Sequence, residues 1–194
     1  MVVELVFLTG NANKMAEANE ALKETGISLV PPRQRVEKLE IQDNRVENIS
    51  LYAARHASRR LREPFVVEDD GLFVKLLNGF PGPYTAYALK TIGIGGLLKL
   101  LEGVKERDAY FLSAVTLHID GRLYLFTHRV DGTISLQPRG SSGFGFDPVF
   151  IPNGYTSTYA EMDLSLKSKI SHRAGAFRQM AAFLKNYYEK FKER

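Results

Sequence analysis

The stretch VVELVFLTGNANKMAEANEAL, residues 2–22, decides the fold class of this 194-residue chain. Its first seven residues are almost all apolar, which predicts a strand buried on both faces, as in α/β proteins. A polar turn over residues 9–13 follows. Apolar side chains then recur every three or four positions, which predicts a helix that ends at Gly26. The chain therefore opens with a β-α unit.

The same alternation continues through the first half of the chain. A short strand is predicted at residues 27–30, where two prolines end it, and apolar spacing over residues 46–61 predicts a second helix. The run FVVE, residues 65–68, predicts another buried strand that leads into an acidic turn at residues 69–71. The order β-α-β-α-β favours the α/β class.

The second half is rich in strand patterns. Residues 110–119 and 122–134 are two long strand-like runs, and Asp120-Gly121 between them is typical of a hairpin turn. Asp131-Gly132 predicts a bulge or bend in the second run. A last helix has the apolar stripe Phe177, Met180, Leu184, Tyr187 and Phe191. We expect an α/β fold with a mixed twisted central sheet and flanking helices. We expect it as a single domain over residues 1–194, elongated and two-lobed, with the active site in the cleft.

Composition excludes several classes of protein. Hydrophobic residues are 44% and charged residues 25%, which is typical of a globular domain and not of a disordered chain. The absence of cysteine excludes disulfides, a thiolate zinc site and a cysteine nucleophile. No apolar run approaches the ~20 residues of a membrane span, and no basic segment precedes the first strand. We therefore expect a cytoplasmic protein with no membrane partner.

Positive charge is concentrated near the C-terminus. The net charge of the chain is +4, and residues 167–194 alone hold eight Lys or Arg and two Glu, a local net of +6. A basic end suits a polyanionic ligand, including nucleic acid. A solvated helix face is the simpler interpretation.

The turn TGNANK, residues 9–14, is a candidate anion site because it joins a buried strand to a helix. Free amides at a helix N-terminus attract anions, and Lys14 adds a mobile charge. The turn is not a Walker A loop, because the second glycine before the lysine is missing. Alternatively, Asn13 caps the helix and Lys14 is exposed. The segment alone leaves both interpretations open.

The acidic run Glu68-Asp69-Asp70-Gly71 is a candidate metal site. Adjacent carboxylates repel one another unless cations neutralise them, and ligation by oxygen alone suits Mg²⁺. The predicted position, at the carboxyl end of a strand, is where ligands bind in α/β sheets. The alternative is an acidic surface turn, but the buried strand before it favours a metal.

Two later segments indicate nucleotide binding. In GFGFDP, residues 143–148, glycines let a ring approach the backbone and phenylalanines offer a stacking surface. The alternative is a turn that packs in the core. In residues 167–173, Ser171 is a candidate N-cap, so His172 and Arg173 would oppose the helix dipole. An anionic or carbonyl-bearing ligand explains that arrangement, and simple solvation is the alternative.

These segments, in this order, resemble the inosine triphosphate pyrophosphatase family. The likeness covers nearly the whole chain, through TGNANK (9–14), VEDDGLFV (67–74), LNGFPGPYTAYA (77–88), RGSSGFGFDPVFIP (139–152), TYAEM (158–162) and LKSKISHRAGA (166–176). The resemblance implies a homodimer that uses Mg²⁺ to convert ITP, dITP and XTP into the monophosphate and pyrophosphate. Such an activity keeps deaminated purines out of DNA and RNA.

The resemblance also implies roles for individual residues. Asp69 would bind metal or activate water, and Lys14 would hold phosphates, so these two are the implied catalytic residues. Glu40, Glu68 and Asp69 are the implied metal ligands. The implied substrate-binding residues are Thr9, Asn11, Asn13, Lys14, Asp70, Gly71, Phe144, Gly145, Phe146, Asp147, Lys167, Ser171, His172 and Arg173. Three positions depart from the family pattern. Asp70 stands where the family often has Ser or Thr, Tyr87 where it usually has Arg, and Ser168 where Asn is common.

A mechanism follows from these roles as a hypothesis. A water attacks the α-phosphorus, pyrophosphate leaves, and Asp69 accepts the proton while Lys14 stabilises charge on the phosphates. Arg173 is predicted to read the O6 and N7 acceptors of the purine, an edge on which adenine places a donor instead.

Other functions are weighed against this one. They are a pyrophosphatase for pyrimidine or modified nucleotides, a nucleic-acid-binding module that uses the basic helix, and a nucleotide sensor without turnover. The GFGFDP and SHR segments argue against the first, and the acidic run argues against the second. We therefore expect no nucleic-acid partner.

Overall fold

The computed structural model describes residues 3–34, 36 and 38–192, without the side chains of residues 190–192. Two predicted positions lie outside the described residues. They are Val2 of the predicted first strand and the side chain of Phe191 of the predicted last helix. The described strands are β1 Val3–Phe7, β2 Ile27–Val30, β3 Phe65–Val74, β4 Pro81–Gly82, β5 Asp108–Ile119, β6 Arg122–Ile134 and β7 Phe150–Pro152. The described α-helices are α1 Ala12–Leu22, α2 Val46–Ala57, α3 Thr85–Thr91, α4 Gly93–Leu100, α5 Leu164–Ile170 and α6 His172–Lys192.

One mixed sheet joins the strands in the order β2-β1-β3-β5-β6-β7, with β4 paired to β3. β1 pairs in parallel with β2 and β3, whereas β3, β5, β6 and β7 pair antiparallel. The hairpin between β5 and β6 turns at Asp120 and Gly121, which have φ of 49° and 73°. The predicted mixed α/β class is confirmed, including its β-α-β-α-β opening.

The two largest hydrophobic cores of the described residues lie along the long strands. The first core lies between the sheet and helices α1 and α6 and includes Leu5, Phe7, Leu22, Val66, Leu117 and Phe177. The second core surrounds the other ends of β3 and β5 and includes Leu72, Leu97, Phe111, Phe150 and Tyr159. β3 therefore contributes Val66 to one core and Leu72 to the other. Its acidic residues lie between the two cores, which fits the predicted two lobes with a cleft.

Both faces of β1 are covered, as its apolar run predicts. Leu5 and Phe7 belong to the first core, while Val6 packs with α2 on the opposite face. The stripe of α6 is likewise buried at Phe177 and Met180. Among the described residues, no helix combines the length and the apolar character needed to cross a membrane.

Two local predictions about the strands are wrong. The acidic run does not end a strand, because β3 continues to Val74 and Asp69 and Asp70 pair with Ala114 and Ser113 of β5. Lys14 and Arg173 pair with Asp70, and Lys38 lies 3.8 Å from Asp69, so cations face both carboxylates inside the sheet. Gly132 forms no bulge either, since the register between β5 and β6 is unbroken. A Cβ at Gly132 would lie 2.3 Å from the Ile151 carbonyl oxygen of β7, and this close approach requires glycine.

Candidate active site

The turn between β1 and α1 positions the first site lysine. Asn11 caps α1, because its side chain accepts hydrogen bonds from the amides of Asn13 (2.9 Å) and Lys14 (3.3 Å). Thr9 Oγ1 accepts from the Asn11 amide at 3.1 Å. The alternative of an Asn13 cap is wrong, since Asn11 holds the extended backbone that a cap requires and Asn13 already lies in the helix.

Lys14 extends from the first turn of α1 to the acidic run of β3. Its Nζ lies 2.8 Å from Glu68 Oε2 and also donates to Asp70 Oδ1. Burial alone would lower the pKa of Lys14, but the charges of Asp70 and Glu68 outweigh burial and raise the pKa above its ordinary value. Lys14 is therefore a fixed cation at the centre of the cleft and not an exposed lysine.

Arg173 connects the start of α6 to the same carboxylates. Its side chain is fully buried, and its Nε donates to Glu68 Oε1 at 3.1 Å. Its Nη1 donates to Glu17, and its Nη2 lies 3.0 Å from Asp70 Oδ1. Although burial opposes the charged form, Glu68, Asp70 and Glu17 raise the pKa of Arg173. Ser113 of β5 donates a further hydrogen bond to Glu68 at 2.9 Å.

Glu17 is a central member of this network that the sequence motifs did not reveal. It is buried on α1 and accepts hydrogen bonds from both Lys167 of α5 and Arg173 of α6. Burial raises the pKa of Glu17, but the charges of Arg173 and Lys167 lower it by more. The pKa of Glu17 therefore lies below its ordinary value. A signal for it exists in the sequence: Lys14 and Glu17 are three residues apart and therefore share one face of α1.

Asp69 differs from the other two acidic residues of the run. Its Oδ2 is buried and has no hydrogen-bond partner among the described residues. Burial raises the pKa of Asp69 to about 7, despite the opposing charges of Lys38 and Lys14. Asp69 is therefore the carboxylate of the cleft that is poised to exchange a proton near neutral pH.

A cavity of about 440 Å³ lies beside Asp69 and receives residues from both lobes. Among its lining residues are Thr9, Gly10, Asn11, Lys14, Lys38, Glu40, Asp69, Asp70, Thr85, Lys90, Phe144 and Gly145. Lys14 and Lys38 contact carboxylates of the cleft, Lys90 is a third lysine of the lining, and Phe144 supplies an aromatic surface. This combination suits a ligand with a polyanionic part and a planar part.

The GFGFDP segment is fixed from behind by Lys167. Asp147 accepts hydrogen bonds from Lys167 and, at 2.8 Å, from the Phe144 amide. Lys167 Nζ and Arg173 Cζ lie 5.1 and 5.4 Å from the centre of the Phe144 ring. Phe144 lines the cavity, whereas Phe146 is buried in the second core.

The start of α6 matches the predicted cap. Ser171 Oγ accepts from the Ala174 amide at 3.2 Å, so His172 and Arg173 lie in the first turn. His172 Nε2 lies 3.4 Å from Asp70 Oδ2, and its ring stacks on Phe111. Burial lowers the pKa of His172 although Asp70 opposes the shift. A neutral imidazole opposes the helix dipole less than the predicted cation.

The predicted site residues fall into three groups. Those that line the cavity are Thr9, Asn11, Lys14, Glu40, Asp69, Asp70, Phe144 and Gly145. Those buried in the network behind it are Glu68, Asp147, Lys167, Ser171, His172 and Arg173. Asn13, Gly71 and Phe146 are outside both groups. Gly71 has a packing reason, since a Cβ there would lie 2.3 Å from the Gly82 carbonyl oxygen.

Lys38, which the sequence motifs did not reveal, is surrounded by oxygen atoms of the kind that bind a hard cation. Lys38 Nζ lies 2.7 Å from Glu40 Oε1, 3.1 Å from the Glu68 carbonyl oxygen and 3.8 Å from Asp69 Oδ1. Within the part of the chain that the structure describes, no three His, Cys, Asp or Glu side chains already form a metal-binding group. Glu40 and Asp69 nevertheless fit Mg²⁺, because both are oxygen donors around a position where a cation already sits.

Fold and site together define a class: a two-lobed α/β protein whose cleft combines lysines, carboxylates and an aromatic surface, which suits a phosphorylated ligand with a planar part. The Ham1 family model matches residues 5–183, and the chain belongs to that family. It is similar to the dITP/XTP pyrophosphatase of Hyperthermus butylicus, with 48% identity over 94% of this chain and 95% of the relative. It is also similar to the dITP/XTP pyrophosphatase of Saccharolobus solfataricus, with 49% identity over 97% of each chain.

Solved structures share the fold. The Staphylococcus aureus Ham1 protein superposes with a TM-score of 0.79 and 27% identity, over 95% of this chain and 99% of that one. A HAM1 protein from Coxiella burnetii superposes with a TM-score of 0.80, also with 27% identity and the same coverage. The sequence motifs resemble the inosine triphosphate pyrophosphatase family, and the relatives above are named dITP/XTP pyrophosphatases. The resemblance is therefore confirmed.

Proposed function

We propose that this chain hydrolyses non-standard purine nucleoside triphosphates, namely dITP, ITP and XTP, to the monophosphate and pyrophosphate. The activity named for its relatives and a cavity that combines lysines with an aromatic wall support this proposal. The single observation that carries the proposal is the state of Asp69. Its Oδ2 atom is buried and has no hydrogen-bond partner among the described residues, and the side chain lies near the charge of Lys14. Hydrolysis of such nucleotides removes deaminated purines from the nucleotide pool.

Asp69 and Lys14 take the chemical roles in this proposal. A water attacks the α-phosphorus, pyrophosphate leaves, and Asp69 accepts the proton of the water as a general base. Lys14 binds the phosphates and stabilises negative charge that develops on them. The Thr9–Asn11 turn keeps Lys14 at this place, because Asn11 fixes the start of α1.

Glu40 and Asp69 are the proposed Mg²⁺ ligands. Glu68, the third predicted ligand, has its carboxylate engaged by Lys14, Ser113 and Arg173, so its carbonyl oxygen is the better placed donor. When bound, Mg²⁺ would offset charge on the attacking and leaving oxygens.

The purine is proposed to lie against Phe144, with its O6 read by Arg173. The Arg173 Nη2 donor forms no hydrogen bond among the described residues, although it lies 3.0 Å from Asp70 Oδ1. A donor at this position favours a 6-keto purine over adenine, which carries a donor of its own at that edge.

We further propose that residues 1–194 act as a single domain, in a homodimer located in the cytoplasm. The long strands support one domain because β3 and β5 contribute to both cores. The exposed apolar side chains of Tyr87, Ile92 and Leu100 on and between α3 and α4 suit contact with a second copy. No nucleic-acid partner is proposed.

Pyrophosphate release with Mg²⁺ tests the proposed function. We expect fast release from dITP, ITP and XTP and release slower by several orders of magnitude from ATP, because the site reads a 6-keto group. The Asp69→Asn protein, purified in the same way, controls for a contaminating phosphatase. Comparable release from CTP or UTP would contradict the purine pocket, and nucleotide binding without any release would indicate a sensor.

A further inference from the structure

Lys38 lies where the proposed metal would bind. It is in the segment between β2 and α2, and its ammonium contacts Glu40, the Glu68 carbonyl oxygen and Asp69. Glu40 and Asp69 are the proposed Mg²⁺ ligands, and the carbonyl oxygen is the donor proposed for Glu68. The side chain is only 21% exposed, so this is not an ion pair fully in solvent.

Two lysines contact the acidic run, and their side chains are held very differently. Lys14 projects from a capped helix and is paired with Glu68 and Asp70. Lys38 lies outside any regular element, its partner Glu40 is 58% exposed, and its Nζ is 3.8 Å from Asp69, beyond hydrogen-bond distance. Lys38 is therefore the cation of this cluster that can leave without breaking a helix or a buried pair.

We propose that Lys38 is an internal counter-ion that occupies the divalent-cation position in the free protein and leaves it when the metal binds. An ammonium and a divalent cation cannot share the same oxygen atoms, since like charges at such separations repel strongly. In the absence of metal, Lys38 offsets the negative charge of Glu40 and Asp69. Once displaced, it stays near the cavity wall, where the triphosphate supplies new partners. The inference rests on the proposed metal site.

Chemical labelling of lysine tests the displacement directly. The full-length protein, without nucleotide, is treated briefly with acetic anhydride at increasing Mn²⁺, and acetylation of each lysine is measured by peptide mass spectrometry. We expect acetylation of Lys38 to increase severalfold with Mn²⁺. Lys75 is the control, because it pairs with the exposed Asp108 and is not among the residues that line the cavity. Unchanged or reduced acetylation of Lys38 at saturating Mn²⁺ would overturn the proposal.

Metal affinity provides a second readout that does not depend on turnover. Mn²⁺ binding is measured by electron paramagnetic resonance for the wild type, Lys38→Met and the control Lys75→Met. We expect Lys38→Met to bind Mn²⁺ about tenfold more tightly, because one positive charge leaves the site, and Lys75→Met to match the wild type. Equal affinity of wild type and Lys38→Met would overturn the inference while leaving the metal site intact. No Mn²⁺ binding by any of the three proteins would overturn the metal site itself and the inference with it.

Discussion

At saturating Mg²⁺, Asp69→Asn is expected to lower kcat by about 10²–10⁴-fold, the usual contribution of a general base, while KM for the nucleotide changes little. The amide keeps the size of the side chain but cannot accept a proton from water. Lys14 and Phe144, which are proposed to hold the phosphates and the purine, remain in place. A mutant with unchanged kcat would contradict the role of Asp69.

The same substitution is expected to stabilise the metal-free protein above neutral pH. The pKa of Asp69 rises from 3.8 to about 7 on folding, so the folded chain binds more protons than the unfolded chain between these values. Stability contributed by this group is therefore lost as the pH rises from about 4 to about 7. Asp69→Asn removes that loss, and we expect a gain of roughly 2–4 kcal/mol in the free energy of unfolding at pH 8.

Thermal and denaturant unfolding in EDTA, at pH 8 and near pH 4, measures this gain. It is expected at pH 8 and largely absent near pH 4, where the carboxyl is protonated in the folded state and about half protonated in the unfolded state. Asp131→Asn is a matched control, because Asp131 is an exposed carboxylate paired with Arg129. Its replacement is expected to change the free energy of unfolding by less than about 1 kcal/mol at either pH. Destabilisation by Asp69→Asn at pH 8 would contradict the account.

Arg173→Met is expected to destabilise the folded protein by about 3–5 kcal/mol, the usual consequence of removing one partner from a buried charge network. Arg173 is fully buried and pairs with Glu17, Glu68 and Asp70. Methionine fills much of the space but leaves these carboxylates with fewer cations. Arg129→Met is the control, since Arg129 also pairs with a carboxylate but at the surface.

Denaturant unfolding at pH 7 separates the two variants. Arg129→Met is expected to lose at most about 1 kcal/mol, as exposed ion pairs do. Equal losses for the two variants would show that the buried network contributes no more than a surface pair. If Arg173→Met retains the preference for ITP over ATP, another group reads the purine O6.

The elements with strong periodicity could be predicted from the sequence. The apolar run of β1, the hairpin at Asp120-Gly121 and the Ser171 cap are local patterns, and each is found where it was predicted. The order of motifs also indicated the family. Local patterns, however, do not show what is brought against them from elsewhere in the chain.

Long-range contacts explain what was missed. Glu68 and Asp70 remain inside β3 because cations from α1 and α6 neutralise them, and no pattern within residues 65–74 contains that information. Gly132 suggested a bulge, but the glycine is needed because β7 passes close by. Glu17 and Lys38 carry no motif, and their importance follows only from the partners that the fold brings to them.

The central claim is that water activated by Asp69 attacks the α-phosphorus of a 6-keto purine triphosphate. Hydrolysis of XTP with Mg²⁺ in ¹⁸O-labelled water, followed by mass spectrometry of both products, tests it directly. The account predicts one ¹⁸O atom in the nucleoside monophosphate and none in the pyrophosphate. Label in the pyrophosphate would mean attack on the β-phosphorus and would contradict the account.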